Sequence, residues 1–176
     1  MQKVKYFFGP LLIILIVSAF SSPSKPKIKW LTVEELQVAY AREARPILID
    51  VYTSWCGWCK VMDRDTYSKQ TVADYINTHY YAVKLDAEST SSISLNGKKY
   101  NFLQSTGTNE LANYLLAGQM AYPTTVFLSS LDARPAPLAG YLKPNELEAP
   151  LKYYGEAANK RMSFDDYMKT FNGSWK

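Results

Sequence analysis

Apolar and polar positions alternate with more than one period along this chain. Leu36, Ala39 and Tyr40 recur at helical spacing behind a capping box of Thr32 and Glu35. The spacing predicts a helix over residues 32–44, stopped by Pro46. Residues 46–52 (PILIDVY) are almost continuously apolar, the pattern of a strand buried on both faces. Helical periodicity returns over 60–67 and again over 71–79, where Val72, Tyr75, Ile76 and His79 share a face. Residues 81–85 read as a strand. A polar stretch over 87–108 follows, and within it Ile93 to Phe102 carries Asn96-Gly97, the signal of a hairpin with a type I′ turn.

The second half has the same texture. Residues 109–117 predict a helix closed by Gly118, residues 124–128 a strand, and residues 137–142 a weaker strand. A helix is expected over 144–154, kinked or restarted at Pro150. A last helix over 163–171 is marked by Phe164, Tyr167, Met168 and Phe171. Strands alternating with helices imply an α/β sheet, and the closing strand–strand–helix run implies an antiparallel hairpin at its edge.

At 176 residues, 47% of them hydrophobic, the chain supports one domain with a substantial core. Aromatic residues at 14% argue against disorder. The net charge is +4, but Lys3 and Lys5 supply two of those charges and the other basic residues are scattered, so no nucleic-acid partner is indicated. Lys3 and Lys5 precede an apolar stretch over 7–20, with small residues at Ala19, Ser21 and Ser22. This reads as an export signal over 1–21, cleaved to release a periplasmic or secreted chain from Ser22. The alternative is an uncleaved membrane anchor, for which the apolar run is short of the roughly 20 residues that span a bilayer. Residues 22–29 read as a linker and 30–176 as the domain, with an insertion over 87–108 and a C-terminal extension over 156–176.

Two cysteines, Cys56 and Cys59, are all the chain has. A bridge across so small a loop constrains the unfolded chain little, so the pair is better explained by reactivity. In Trp55-Cys56-Gly57-Trp58-Cys59-Lys60 a strand ends just before the motif and a helix begins within it. Cys56 therefore sits at a helix N-terminus, where free N–H groups and the dipole stabilise a thiolate. Cys56 is expected to be the exposed nucleophile that attacks a disulfide, and Cys59 the buried thiol that resolves the mixed disulfide. A zinc site is the competing reading of a CxxC pair. Zinc wants four ligands, and His79 is the only histidine, so no metal is expected. Asp50 in an apolar strand is costly unless it has a task or a partner. Lys84, on the next strand, reads equally as its partner or as a surface residue.

These features resemble the thioredoxin superfamily over about residues 28–155. The resemblance rests on the CGWC motif after a strand, on Asp50 six residues before Cys56, on Lys84 in a following strand, and on Tyr122-Pro123-Thr124 before another. Gly140 in a late strand also fits. The W-C-x-W-C-K-x-M run is similar to the reducing domains of membrane disulfide-interchange proteins. The resemblance implies a thioredoxin-like fold with a central mixed sheet flanked by helices. It also implies that Asp50 exchanges a proton with Cys59, that Lys84 neighbours that acid, and that Pro123 follows a cis bond. Trp55, Gly57, Trp58, Tyr122 and Pro123 would then contact substrate.

The implied activity is thiol–disulfide exchange without an organic cofactor, on disulfide-containing exported proteins, with a membrane protein as electron donor. Trp58 stands where thioredoxin has proline, and the 87–108 insertion is longer than thioredoxin's connection. Oxidising relatives place a histidine between the cysteines. Gly57-Trp58 carries no charge, so the expected Cys56 pKa is about 6–7.5 and the expected direction is reduction or isomerisation. A disulfide-forming oxidase and a redox-inert peptide-binding module are the alternatives. The Ile93–Phe102 hairpin reads equally as a partner-recognition element or as a cover for a sheet edge.

Overall fold

The computed structural model describes residues 1–2 and 27–175. The export signal and most of the linker lie outside the described residues. In chain order the elements are β1 (Trp30–Leu31), α1 (Val33–Arg42), β2 (Ile47–Tyr52), α2 (Gly57–Met62), a π-helical turn (Asp63–Tyr67), α3 (Gln70–His79) and β3 (Tyr81–Asp86). The insertion supplies β4 (Ile93–Leu95), β5 (Lys98–Tyr100), β6 (Phe102–Leu103) and β7 (Thr108–Asn109). Then come α4 (Glu110–Leu115), β8 (Thr124–Leu128), β9 (Ala136–Ala139), α5 (Pro144–Gly155), a 3₁₀ turn (Ala158–Lys160) and α6 (Phe164–Thr170).

Five strands form one mixed sheet in the order β1-β3-β2-β8-β9. β2 pairs parallel with β3 and antiparallel with β8, which explains its continuous apolar run: both edges and both faces are covered. β8 and β9 make the expected antiparallel hairpin at the sheet edge. Ile47, Ile49 and Val51 face one layer, with Leu36 of α1 and Leu111 and Leu115 of α4. Leu48 faces the other, with Met62, Val72, Ile76, Leu147 and Leu151. Period-two alternation puts Asp50 on that second face.

Local chemistry sets the helix starts. Thr32 and Glu35 close the capping box as expected. Asn109 and Ser163 cap α4 and α6. The hairpin turns at Asn96 and Gly97, both at positive φ. Gln37 of α1 fastens it, donating to Ser94 O at 2.9 Å and accepting from Asn96 N at 3.0 Å. Ile93, Leu95 and Tyr100 are buried in the core, so the hairpin is part of the domain's packing.

Three expectations are corrected. The restart expected at Pro150 does not occur, since α5 is one helix through it: Leu147 and Leu151 on either side are fully buried, and that packing outweighs the lost N–H. The weaker strand is shorter and earlier, Ala136–Ala139, and Gly140 falls just beyond it. Residues 27–29 join the domain rather than the linker, because Ile28 is buried and Asn77 ties the backbone of Lys27 and Lys29. Among the described residues no helix is long and apolar enough to cross a membrane.

Candidate active site

β2 ends at Tyr52, and a turn closed by Cys56 N–H to Thr53 O at 3.2 Å leads directly into α2. Cys56 is the N-cap of that helix, with extended backbone angles. Its sulfur accepts the Cys59 N–H at 3.0 Å, the bond a serine or aspartate oxygen makes at ordinary helix starts. Cys56 and Cys59 are joined as a disulfide, with Cα atoms 5.4 Å apart. Each cysteine is only 4% exposed, so in the oxidised pair exposure does not separate nucleophile from resolving thiol. The asymmetry lies in the cap: Cys56 Sγ receives a helix N–H.

The rim is aromatic. Trp55 and Trp58 are 65% and 62% exposed. The Trp55 indole N–H donates to Glu88 Oε1 at 2.9 Å, and its ring meets Tyr122 edge-on at 5.9 Å. Trp58 lies against Tyr141 at 5.5 Å. Nothing stands within 4 Å of the position a Gly57 Cβ would take, so this part of the rim is open. The Tyr122–Pro123 bond is cis. Val51 pairs with Thr124, so Tyr122-Pro123 sits at the end of the sheet where β2 gives way to the CGWC turn. Gly140, at a φ of +101° that favours glycine, donates its N–H to Pro123 O at 2.8 Å.

Behind the motif, Asp50 is 2% exposed. Register places Lys84 beside it on β3, and Lys84 Nζ lies 3.2 Å from Asp50 Oδ2. Lys84 also donates to both oxygens of Asp63, at 2.7 and 2.6 Å. Its ammonium stands over the rings of Trp30 and Tyr52. Lys84 is therefore the acid's partner and not a free surface residue. Burial pushes the Asp50 carboxyl up to about 6; the Lys84 charge opposes this and the Asp63 charge adds to it. Burial would lower Lys84, but the two carboxylates outweigh it and hold the ammonium above its ordinary range.

Asp63, Glu88 and Tyr141 escaped the sequence reading. Asp63 had a signal: it lies four residues after Cys59, hence on the same side of the helical segment. Glu88 and Tyr141 come from loops that only the fold brings to the rim. His79 stacks on Tyr75 at 4.2 Å. Among the described residues no group of three or more His, Cys, Asp or Glu stands together as a metal site.

The Thioredox_DsbH family model, described as "Protein of unknown function, DUF255", matches residues 19–154. The chain belongs to this DsbH family. Among solved structures it is similar to a DsbH oxidoreductase, with 15% identity, a TM-score of 0.53, and coverage of 74% of this chain and 85% of that one. A thioredoxin from Thermus thermophilus is similar at 16% identity and a TM-score of 0.55, over 76% of this chain and 93% of that one. A thioredoxin-fold protein from Helicobacter pylori gives 16% identity and a TM-score of 0.53, over 71% and 83%. These likenesses establish the thioredoxin fold. No curated protein matches the chain. A DsbH-family member with a bonded CxxC pair at the start of a helix is a thiol–disulfide oxidoreductase.

Proposed function

We propose that this protein reduces or isomerises disulfides of exported proteins, with Cys56 as nucleophile, Cys59 as resolving thiol and Asp50 as the group that takes the Cys59 proton. The observation that carries the reading is the Cys59 N–H donated to Cys56 Sγ at the start of α2, because the same bond stabilises a Cys56 thiolate once the disulfide opens. The thiolate attacks one sulfur of a substrate disulfide. A Cys56–substrate bond forms, and the other substrate sulfur leaves as a thiolate. Cys59 then passes its proton to Asp50 and attacks Cys56 Sγ. The substrate's second sulfur leaves, the Cys56–Cys59 disulfide forms, and the substrate has gained two electrons.

Asp50 suits that step because burial brings its pKa to about 6, near neutral pH, where an acid–base group works best. Trp55, Gly57, Trp58, Tyr122 and Pro123 frame the substrate, and Lys84 holds the Asp50 side chain. A return of two electrons from a membrane dithiol donor completes the cycle. The uncharged Gly57-Trp58 pair leaves the helix terminus as the main stabiliser of the thiolate, which supports reduction over oxidation.

Two measurements test this. Cys59→Ser should accumulate a mixed disulfide through Cys56, and the wild-type protein should reduce insulin with a dithiol donor. Equilibration with glutathione should place the Cys56–Cys59 potential more negative than about −200 mV. A potential near the roughly −120 mV of strong oxidants would reverse the assigned direction.

A further inference from the structure

Asp50 has two carboxylate oxygens and only one is served. Oδ2 faces Lys84, whereas Oδ1 is buried with no hydrogen-bond partner among the described residues. A buried acceptor without a donor is destabilising, so one in a reacting group points to a partner it meets during the reaction.

The opposite side of the row supplies candidates. Thr125 of β8 is paired directly across from Asp50. Residues opposed in an antiparallel pair share a face, with Cβ atoms about 4.5–5.5 Å apart. Thr125 is fully buried, and its hydroxyl is hydrogen-bonded at 2.9 Å to the hydroxyl of Tyr67, the last residue of the π-helical turn. Lys84, Asp50 and Thr125 thus form one polar row across three strands, roofed by Asp63 and Tyr67. Their hydrogen-bonding abilities differ. A lysine ammonium only donates, and an ionised carboxylate only accepts. A hydroxyl does both.

We propose that the Thr125–Tyr67 hydroxyl pair is the hydrogen-bonding partner of Asp50 Oδ1 during turnover, directly or through one water, and that both are positioning residues for the proton from Cys59. The proposal rests on the reading that Asp50 takes that proton. While Asp50 is ionised, Thr125 donates towards Oδ1 and accepts from Tyr67. When the proton passes from Cys59 Sγ to Asp50, the neutral acid donates towards Thr125, and Thr125 turns to donate to the Tyr67 oxygen. Two hydroxyl rotations follow one proton, and no charged group moves.

The test is a titration of the Asp50 carboxyl carbon by NMR in the oxidised full chain, where the bonded cysteines do not titrate. The charged or titratable groups that face Asp50 are Lys84 from β3 and Asp63 and Tyr67 from the π-helical turn. Lys84 and Tyr67 are both held above their ordinary ranges and stay protonated across the titration. Repeating it in Asp63→Asn removes the remaining one. A hydroxyl bonds an ionised carboxylate more strongly than a neutral acid, so Thr125→Val should raise the Asp50 midpoint by about half a unit or more. Tyr67→Phe should raise it less, and Thr125→Ser should restore it. An unchanged midpoint in both Thr125→Val and Tyr67→Phe overturns the proposal. Asp50→Asn separates this from the reading beneath it. Undiminished turnover in that variant removes Asp50 from the reaction. Impaired turnover combined with an unmoved Thr125→Val midpoint overturns the hydroxyl pair alone.

Discussion

Lys84 Nζ reaches both oxygens of Asp63, at 2.7 and 2.6 Å, while it stands 3.2 Å from the nearer oxygen of Asp50. The lysine on the strand beside the buried acid is thus shared, and its shorter bonds go to the other carboxylate. Asp63 takes part of the positive charge that would otherwise lower Asp50. Replacing Asp63 by Asn removes a negative charge near Asp50 and frees Lys84 to turn towards it. The Asp50 midpoint should then fall by about half a unit or more. A carboxyl-carbon titration checks this, and a rise instead of a fall would show that Asp63 acts on Asp50 in some other way.

The raised Asp50 has a consequence for stability. A carboxyl at about 6 in the folded chain and at its usual 3.8 when unfolded favours folding most below pH 3.8. That contribution is lost as pH rises through about 6. The shift of about two units corresponds to about 3 kcal/mol at pH 8. Asp50→Asn should therefore be more stable than wild type by about 1–3 kcal/mol at pH 8, with little difference near pH 4. Urea denaturation of the oxidised protein at the two pH values measures it. Equal stability of the two proteins at pH 8 would mean that Lys84 fully compensates the buried charge.

The Cys56 cap predicts unequal thiols once the pair is reduced, although the oxidised cysteines are equally buried. Alkylation near pH 7 should label Cys56 at least about tenfold faster than Cys59. The ratio should fall as pH rises and both thiols ionise. Peptide mass mapping after a short pulse of iodoacetamide reads the ratio. Equal labelling would remove the nucleophile assignment from Cys56.

Much of this was written in short-range signals. The Thr32–Glu35 box, the Asn96-Gly97 turn and the CGWC helix start are each settled within a few residues, and each is found in place. What the sequence hid depends on register. Asp63 meets Lys84 only because β3 lies beside β2 and the helix after the cysteines loosens into a π-helical turn. Glu88 reaches Trp55 across 33 positions. β1 is two residues long and gains its identity from pairing with β3, which no local pattern announces. The restart expected at Pro150 fails because local propensity favours ending the helix there and burial on both sides overrides it.

The hairpin's role in stability is separable from any role in recognition. Ile93, Leu95 and Tyr100 lie in the core beside α1 and α4 residues, and Gln37 clamps the backbone. Leu95→Ala should cost about 2–5 kcal/mol, the range for a buried leucine. Replacing residues 93–102 by a Gly/Ser linker should lower the melting temperature as well. A linker variant with unchanged stability would show that the domain closes without the hairpin. Unchanged turnover with the physiological partner, in a variant that still folds, would assign the hairpin to packing alone.

Glu148 predicts a fastening for the C-terminal segment. This carboxylate, in the middle of α5, is fully buried. It accepts from Lys152 Nζ at 2.7 Å, from the Ser174 N–H and hydroxyl at 2.8 and 2.9 Å, and from the Trp175 N–H at 2.8 Å. Trp175 in turn meets Tyr75 of α3 edge-on, so the tail ties α5 to α3. Burial pushes the Glu148 carboxyl up, but Lys152 and the tail donors outweigh it and leave it below its usual 4.5. A lowered acid contributes stability above the unfolded value of 4.5, and that contribution is lost as pH falls through the folded one. Glu148→Ala should cost about 1–3 kcal/mol at pH 7, since the lysine left behind can turn to solvent and the tail N–H groups lose their acceptor. The wild-type advantage should shrink towards pH 3. The variant should also lose residues 171–175 to carboxypeptidase much faster than wild type while keeping insulin reduction, because the tail's contacts lie on α3 and α5 and not at the rim. Equal trimming of the two proteins would show that packing of Trp175, rather than the buried carboxylate, holds the tail.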